Sequence, residues 1–74
     1  MLKIMRFRDN EFSSGVFVAE TNLSDKELQT TAEKIREKFE KDDYYDWSYD
    51  DIIEEMEKIG AIKIIESEYV EIYL

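Results

Sequence analysis

The sequence predicts a small α+β domain, in the order ββααββ, with one antiparallel sheet and two helices packed on a single face. Two Ser-led capping signals each introduce a stretch of helical apolar spacing, and short β-branched and aromatic runs flank them. No Pro, internal repeat or low-complexity linker interrupts the 74 residues, so residues 1–74 read as one domain with one core.

Met1 to Arg8 reads as a strand, with Leu2, Ile4, Met5 and Phe7 spaced through an extended run. Residues 9–15 are turn chemistry, with Gly15 available for positive φ. Val16 to Thr21 reads as a second strand, so the two suggest a hairpin whose loop is too long for a two-residue turn. Ser24 and Glu27 then form a capping box, and Leu23 before the cap can staple onto Leu28. Leu28, Ala32, Ile35 and Phe39 recur at helical spacing as one narrow apolar stripe, and Glu37 can pair with Lys41.

The second helix opens in the same way. Ser48 is the N-cap, Asp51 takes the return position of the box, and Trp47 can staple onto Ile52. Ile52, Ile53, Met56 and Ile59 share an apolar face, and Gly60 is a natural residue just past the helix end. Ala61 to Glu66 and Tyr69 to Leu74 read as the closing strands. In the last of them Val70, Ile72 and Leu74 alternate with Tyr69, Glu71 and Tyr73.

Composition removes most catalytic chemistry. There is no Cys and no His, hence no disulfide, no thiolate ligand or nucleophile, and no imidazole base. Ser13-Ser14-Gly15 lacks the surroundings of a hydrolase nucleophile, and no Gly-rich phosphate loop is present. An EF-hand register from Asp43 would place Glu54 twelfth, but Tyr45 and Trp47 occupy ligand positions and Ser48 the glycine position. The expectation is a protein that is not an enzyme and carries no cofactor and no metal. The longest uninterrupted apolar run, Val16 to Ala19, is far too short to span a bilayer, and no secretory h-region is read. The chain is expected to be soluble and cytoplasmic.

The formal charge of −9 is not spread evenly. Residues 1–22 balance three basic against three acidic side chains, and residues 23–41 balance five against five. From Asp42 to Glu57 there are eight carboxylates and no basic residue. That segment is a local field, and four of the chain's ten aromatics lie in it. Capping accounts for Asp51, and the staple accounts for Trp47. No cap accounts for Asp42, Asp43 and Asp46. The candidate partner-binding residues are Asp42, Asp43, Tyr44, Tyr45, Asp46, Tyr49, Asp50, Glu54, Glu55 and Glu57. Lys3, Arg6 and Arg8 read as edge-strand solubilisers, because a body of this charge repels phosphate and direct nucleic-acid binding is not expected.

A surface that repels nucleic acid attracts proteins built to hold it. Carboxylates can occupy Lys/Arg sites that normally neutralise phosphates, and aromatics can sit where bases stack. In size, acidity and lack of catalytic residues, with the charge concentrated in residues 42–57, the chain resembles the anti-CRISPR and anti-restriction accessory proteins of phages and mobile elements. That resemblance implies an inhibitor or decoy seated on the nucleic-acid-binding surface of a basic partner protein. The competing expectation is a plain protein–protein interaction module or homodimer using Tyr69, Tyr73, Trp47 and Tyr49, with charge serving solubility.

Overall fold

A computed structural model describes residues 1–65, 72 and 73. It is an α+β fold in the order β1 (Leu2–Met5), β2 (Phe17–Glu20), α1 (Asp25–Lys41), α2 (Tyr49–Lys58) and β3 (Lys63–Ile64). Among the described residues the sheet is antiparallel with strand order β1-β2-β3. The final strand expected over Tyr69 to Leu74 lies mostly outside the described residues, and the described Ile72 and Tyr73 are not in a strand. No described helix is long and apolar enough to cross a membrane.

The hairpin turns on an aspartate rather than on the glycine. Asp9 Oδ1 accepts the amides of Glu11 and Phe12 at 2.8 and 2.7 Å, an Asx arrangement that folds the chain locally. Those two amides, Glu11's first, hold the Asp9 carboxyl below its ordinary pKa. Gly15 does not use the positive φ expected of it; the only glycine there is Gly60. Between the Met5↔Phe17 pair and the Arg8↔Ser13 bridge, Arg6 and Phe7 face Ser14, Gly15 and Val16. The surplus residue makes a bulge, in which Ser14 Oγ accepts the Phe7 amide at 2.9 Å.

Register decides which side chains enter the core. Lys3 pairs with Ala19 and Met5 with Phe17, so these four share one face of the sheet. Ala19, Leu28, Ile35, Ile52, Ile53, Met56 and Ile62 form the buried centre. Met5, Phe7, Phe17, Phe39 and Trp47 pack around it. Met56, with no exposed surface, is the kind of side chain whose truncation to Ala costs about 2–5 kcal/mol. Leu2 and Ile4 point to the opposite face and are exposed.

Lys3, read from sequence as an edge solubiliser, instead reaches from the core side of β1 to the start of α1. Its Nζ lies 2.6 Å from Asp25 Oδ1 and donates to the Leu23 carbonyl at 3.1 Å. Arg6 and Arg8 are exposed. Thr21, buried at the end of β2, donates to the Ala61 carbonyl and accepts the Leu23 amide. That hydroxyl ties three segments together and had no signature in the sequence.

Both helix starts follow local chemistry. Ser24 Oγ accepts the Glu27 amide, and Glu27 Oε1 accepts the Ser24 amide, each at 3.1 Å. These contacts, the Ser24 amide first, hold the Glu27 carboxyl below its ordinary pKa. At α2 the Asp51 carboxylate accepts the Ser48 amide at 3.0 Å. The anticipated Glu37–Lys41 pair does not form; Lys38 instead faces Glu55 of α2 at 3.8 Å. Ile59, expected on the apolar face, is the C-cap of α2 and is exposed.

Candidate functional site

The acidic segment begins where α1 stops. Asp42 is its C-cap, and Asp43 follows at φ 59. The Asp43 amide donates to the Glu40 carbonyl at 3.1 Å and the Tyr44 amide to the Phe39 carbonyl at 2.8 Å. Those two bonds define a Schellman ending, with an aspartate where glycine is usual. Asp42 and Asp43 therefore do have a place in a cap, contrary to the sequence reading. As residue types they are poor choices for it. A carboxylate at the carbonyl end of a helix opposes the helix dipole, and glycine suits a positive φ better than aspartate, which visits that region only occasionally.

Tyr44 folds back on the segment's two ends. Its ring packs edge-on against Phe39 with centroids 5.4 Å apart, and its hydroxyl donates to Asp51 Oδ2 at 2.7 Å. Asp51 thus accepts from the Ser48 amide and from Tyr44. The amide, first, and the phenol hold its carboxyl below the ordinary range. The same bond, followed by partial desolvation, pushes the Tyr44 hydroxyl above its ordinary pKa. The linker is consequently a closed loop between two helices, fastened by one phenol.

Tyr49 is turned inward. Its ring stacks on Phe7 at 6.2 Å, and its hydroxyl donates to the Phe12 carbonyl at 3.3 Å. Partial desolvation, then the nearby Asp9 carboxylate, raises its pKa. Trp47, half-buried, packs against the core cluster containing Ile52, as its staple position implied. Tyr45 is the most exposed aromatic of the loop, at 68% against 41% for Tyr44.

The carboxylates divide into two sets. Asp42, Asp43, Asp46, Asp50 and Glu54 are exposed, and among the described residues their side chains make no hydrogen bond or ion pair. Glu55 is half-buried and faces Lys38, while Glu57 accepts the Ile64 amide at 3.1 Å and so fastens β3 to α2. Asp50, Glu54 and Glu57 recur at i, i+4, i+7 along one line of α2, where neighbours stand about 5–6 Å apart. The structure therefore joins Asp42, Asp43, Tyr45 and Asp46 on an exposed loop that leads into Asp50 and Glu54. It assigns Tyr44, Tyr49, Glu55 and Glu57 internal contacts as well. Among the described residues no group of three or more acidic side chains is gathered as a metal site.

Compared with known proteins, the chain matches no family model, no curated protein and no solved structure.

Proposed function

We propose that this chain is a non-catalytic, cytoplasmic acidic binding protein that occupies the nucleic-acid-binding surface of a basic partner protein, in the manner of an anti-CRISPR or anti-restriction inhibitor. The surface it uses is the loop Asp42, Asp43, Tyr45 and Asp46 with Asp50 and Glu54 of α2. The observation that carries this reading is Asp43. It stands at φ 59, at the carbonyl end of α1, where glycine would suit the backbone and a neutral residue would suit the dipole. Acidity retained against the preference of the fold suggests a use outside it. The neighbouring carboxylates, in no ion pair among the described residues, and the exposed ring of Tyr45 supply field and contact area on the same loop.

The test is affinity capture from the source cell's lysate at low and high salt, followed by competition with DNA and RNA. A captured protein whose binding weakens steeply with salt and is displaced by nucleic acid supports the proposal. The combined Asp42→Asn, Asp43→Asn and Asp46→Asn variant should lose that partner while melting no lower than the parent chain, since Asn tolerates positive φ and the helix end loses opposing charge. Retention of the partner by this variant, or simultaneous binding of partner and nucleic acid, would overturn it.

A further inference from the structure

The geometry points to a second binding site, distinct from the acidic loop: a groove between β1 and α1 that takes an extended, acidic-apolar peptide as an added strand. Among the described residues β1 is an edge of the sheet. The Thr21 amide bonds the Met1 carbonyl and the Ser14 amide bonds the Phe7 carbonyl. Odd-numbered positions thus turn their backbone groups toward β2, and Leu2, Ile4 and Arg6 turn theirs to the free edge. Beyond that edge lies a groove of about 620 Å³ whose opposite wall is α1. Its apolar lining includes Ile4, Met5, Phe7, Leu28, Ala32 and Trp47.

The two walls match in length. Leu28, Ala32, Arg36 and Glu40 of α1 all line the groove and span about 18 Å at 1.5 Å per residue. Lys3 to Arg8 line the other side and span about 17 Å as extended chain. The Lys3–Asp25 ion pair bridges the two walls toward one end, and Trp47 and Tyr49 lie toward the other. An exposed edge with a helix set back from it is the arrangement that accepts a peptide by strand addition.

Charge selects the occupant. Lys3 and Asp25 pair with each other, which leaves Arg6 and Arg8 against Asp9 on the strand wall and Arg36 against Glu33 and Glu40 on the helix wall. Glu40 lies at the far end of the helix wall. Arg6, Arg8 and Arg36 make no ion pair among the described residues. In a chain of net charge −9, the strand wall of this groove has two guanidinium groups against one carboxylate beyond the Lys3–Asp25 pair, and among the described residues neither guanidinium is in an ion pair. A strand added to β1 would place alternate side chains over Met5 and Leu28 and the others on the face that Arg6 and Arg8 share with Leu2 and Ile4. The fitting segment alternates apolar and acidic residues.

The probes are fluorescein-labelled short peptides: one alternating Glu and Val, one of the same composition with Glu and Val in separate blocks, and one alternating Lys and Val. Fluorescence anisotropy should show the alternating acidic peptide binding at least roughly tenfold tighter than the other two. Ile4→Pro removes an edge-facing N–H without touching the β2 ladder and should lose binding, whereas Ile4→Ala should keep it. Arg6→Glu with Arg8→Glu should weaken it about tenfold. Amide exchange on the unaltered protein gives a readout independent of any variant's folding: the peptide should protect Leu2, Ile4 and Arg6 and leave Lys3 and Met5 unchanged. The Asp42→Asn, Asp43→Asn and Asp46→Asn variant should bind the peptide as well as the parent chain, which separates this site from the acidic loop. Equal binding of the three peptides, no protection of the even-numbered amides, or occupation of the edge by a second copy in solution would each overturn the assignment.

Discussion

Asp43 and Gly60 occupy the same position of the same helix-ending motif. Each follows the C-cap with positive φ, 59 for Asp43 and 81 for Gly60. The flanking bonds correspond: Tyr44 to Phe39 and Asp43 to Glu40 after α1, Ala61 to Met56 and Gly60 to Glu57 after α2. One ending uses the residue the backbone favours and the other does not. The pair therefore measures what the acidic loop gives up.

Asp43→Gly is expected to stabilise the chain by about 1 kcal/mol, from relief of left-handed strain and of charge at the helix end. In a domain of this size that corresponds to a melting rise of about 4–8 °C. The reciprocal change, Gly60→Ala, should destabilise by about 1 kcal/mol. Nothing lies within 4 Å of an added Cβ at Gly60, so the loss would be the backbone's alone. Thermal melts of both variants check the pair. A stability unchanged by Asp43→Gly would remove the reason for assigning that aspartate a role beyond the fold.

Thr21→Val should cost about 1–3 kcal/mol, because it keeps the shape and leaves the Ala61 carbonyl and Leu23 amide without their partner. Thr21→Ser keeps the hydroxyl and should cost clearly less. Urea unfolding of the two variants distinguishes a hydrogen-bond role from simple packing, which would give the opposite order.

These expectations show where the sequence is legible. Ser24–Glu27 and Ser48–Asp51 are short-range pairs whose partners lie three residues apart, so residue type and spacing suffice to place both helix starts. Leu2, Ile4, Met5 and Phe7 could not assign a buried face, because apolar residues stand at both parities of β1. Pairing with β2 resolves it in favour of Met5 and Phe7. Lys3 and Thr21 depend on contacts 22 and 40 residues away, which no local pattern encodes. The acidic loop was legible as charge, but not its internal order. That Asp43 ends α1 and that Tyr44 closes on Asp51 depend on how the loop folds back on the two helices.

Acid should destabilise the fold through the capping carboxylates. Asp9, Glu27 and Asp51 are all held below their ordinary pKa values of 3.8, 4.5 and 3.8. A lowered folded-state pKa gives stability that is present above the unfolded value and lost as pH falls through the folded one. Stability should therefore begin to fall near these unfolded values and continue falling below them. On the alkaline side Tyr44 is raised above 10.0, so its contribution is present below that pH and lost as pH rises through the folded value. Tyr44→Phe keeps the ring against Phe39 and removes the phenol. Carboxyl NMR titration should then show Asp51 moving up toward its ordinary pKa. An unmoved Asp51 would mean that the Ser48 amide alone sets it.

Glu54 and Glu57 separate recognition from folding on one helix. They stand three residues apart on the same line of α2, yet only Glu57 reaches a backbone amide, that of Ile64. Glu57→Ala should lower stability by about 1 kcal/mol and loosen β3, seen as faster exchange of the Ile64 amide. Glu54→Gln should leave the melt within about 0.5 kcal/mol, as surface changes without partners do. If the exposed carboxylates form the partner surface, Glu54→Gln should nevertheless weaken capture and reduce its sensitivity to salt, with the fold untouched. Full capture with undiminished salt sensitivity would confine the partner surface to the loop at Asp42, Asp43 and Asp46.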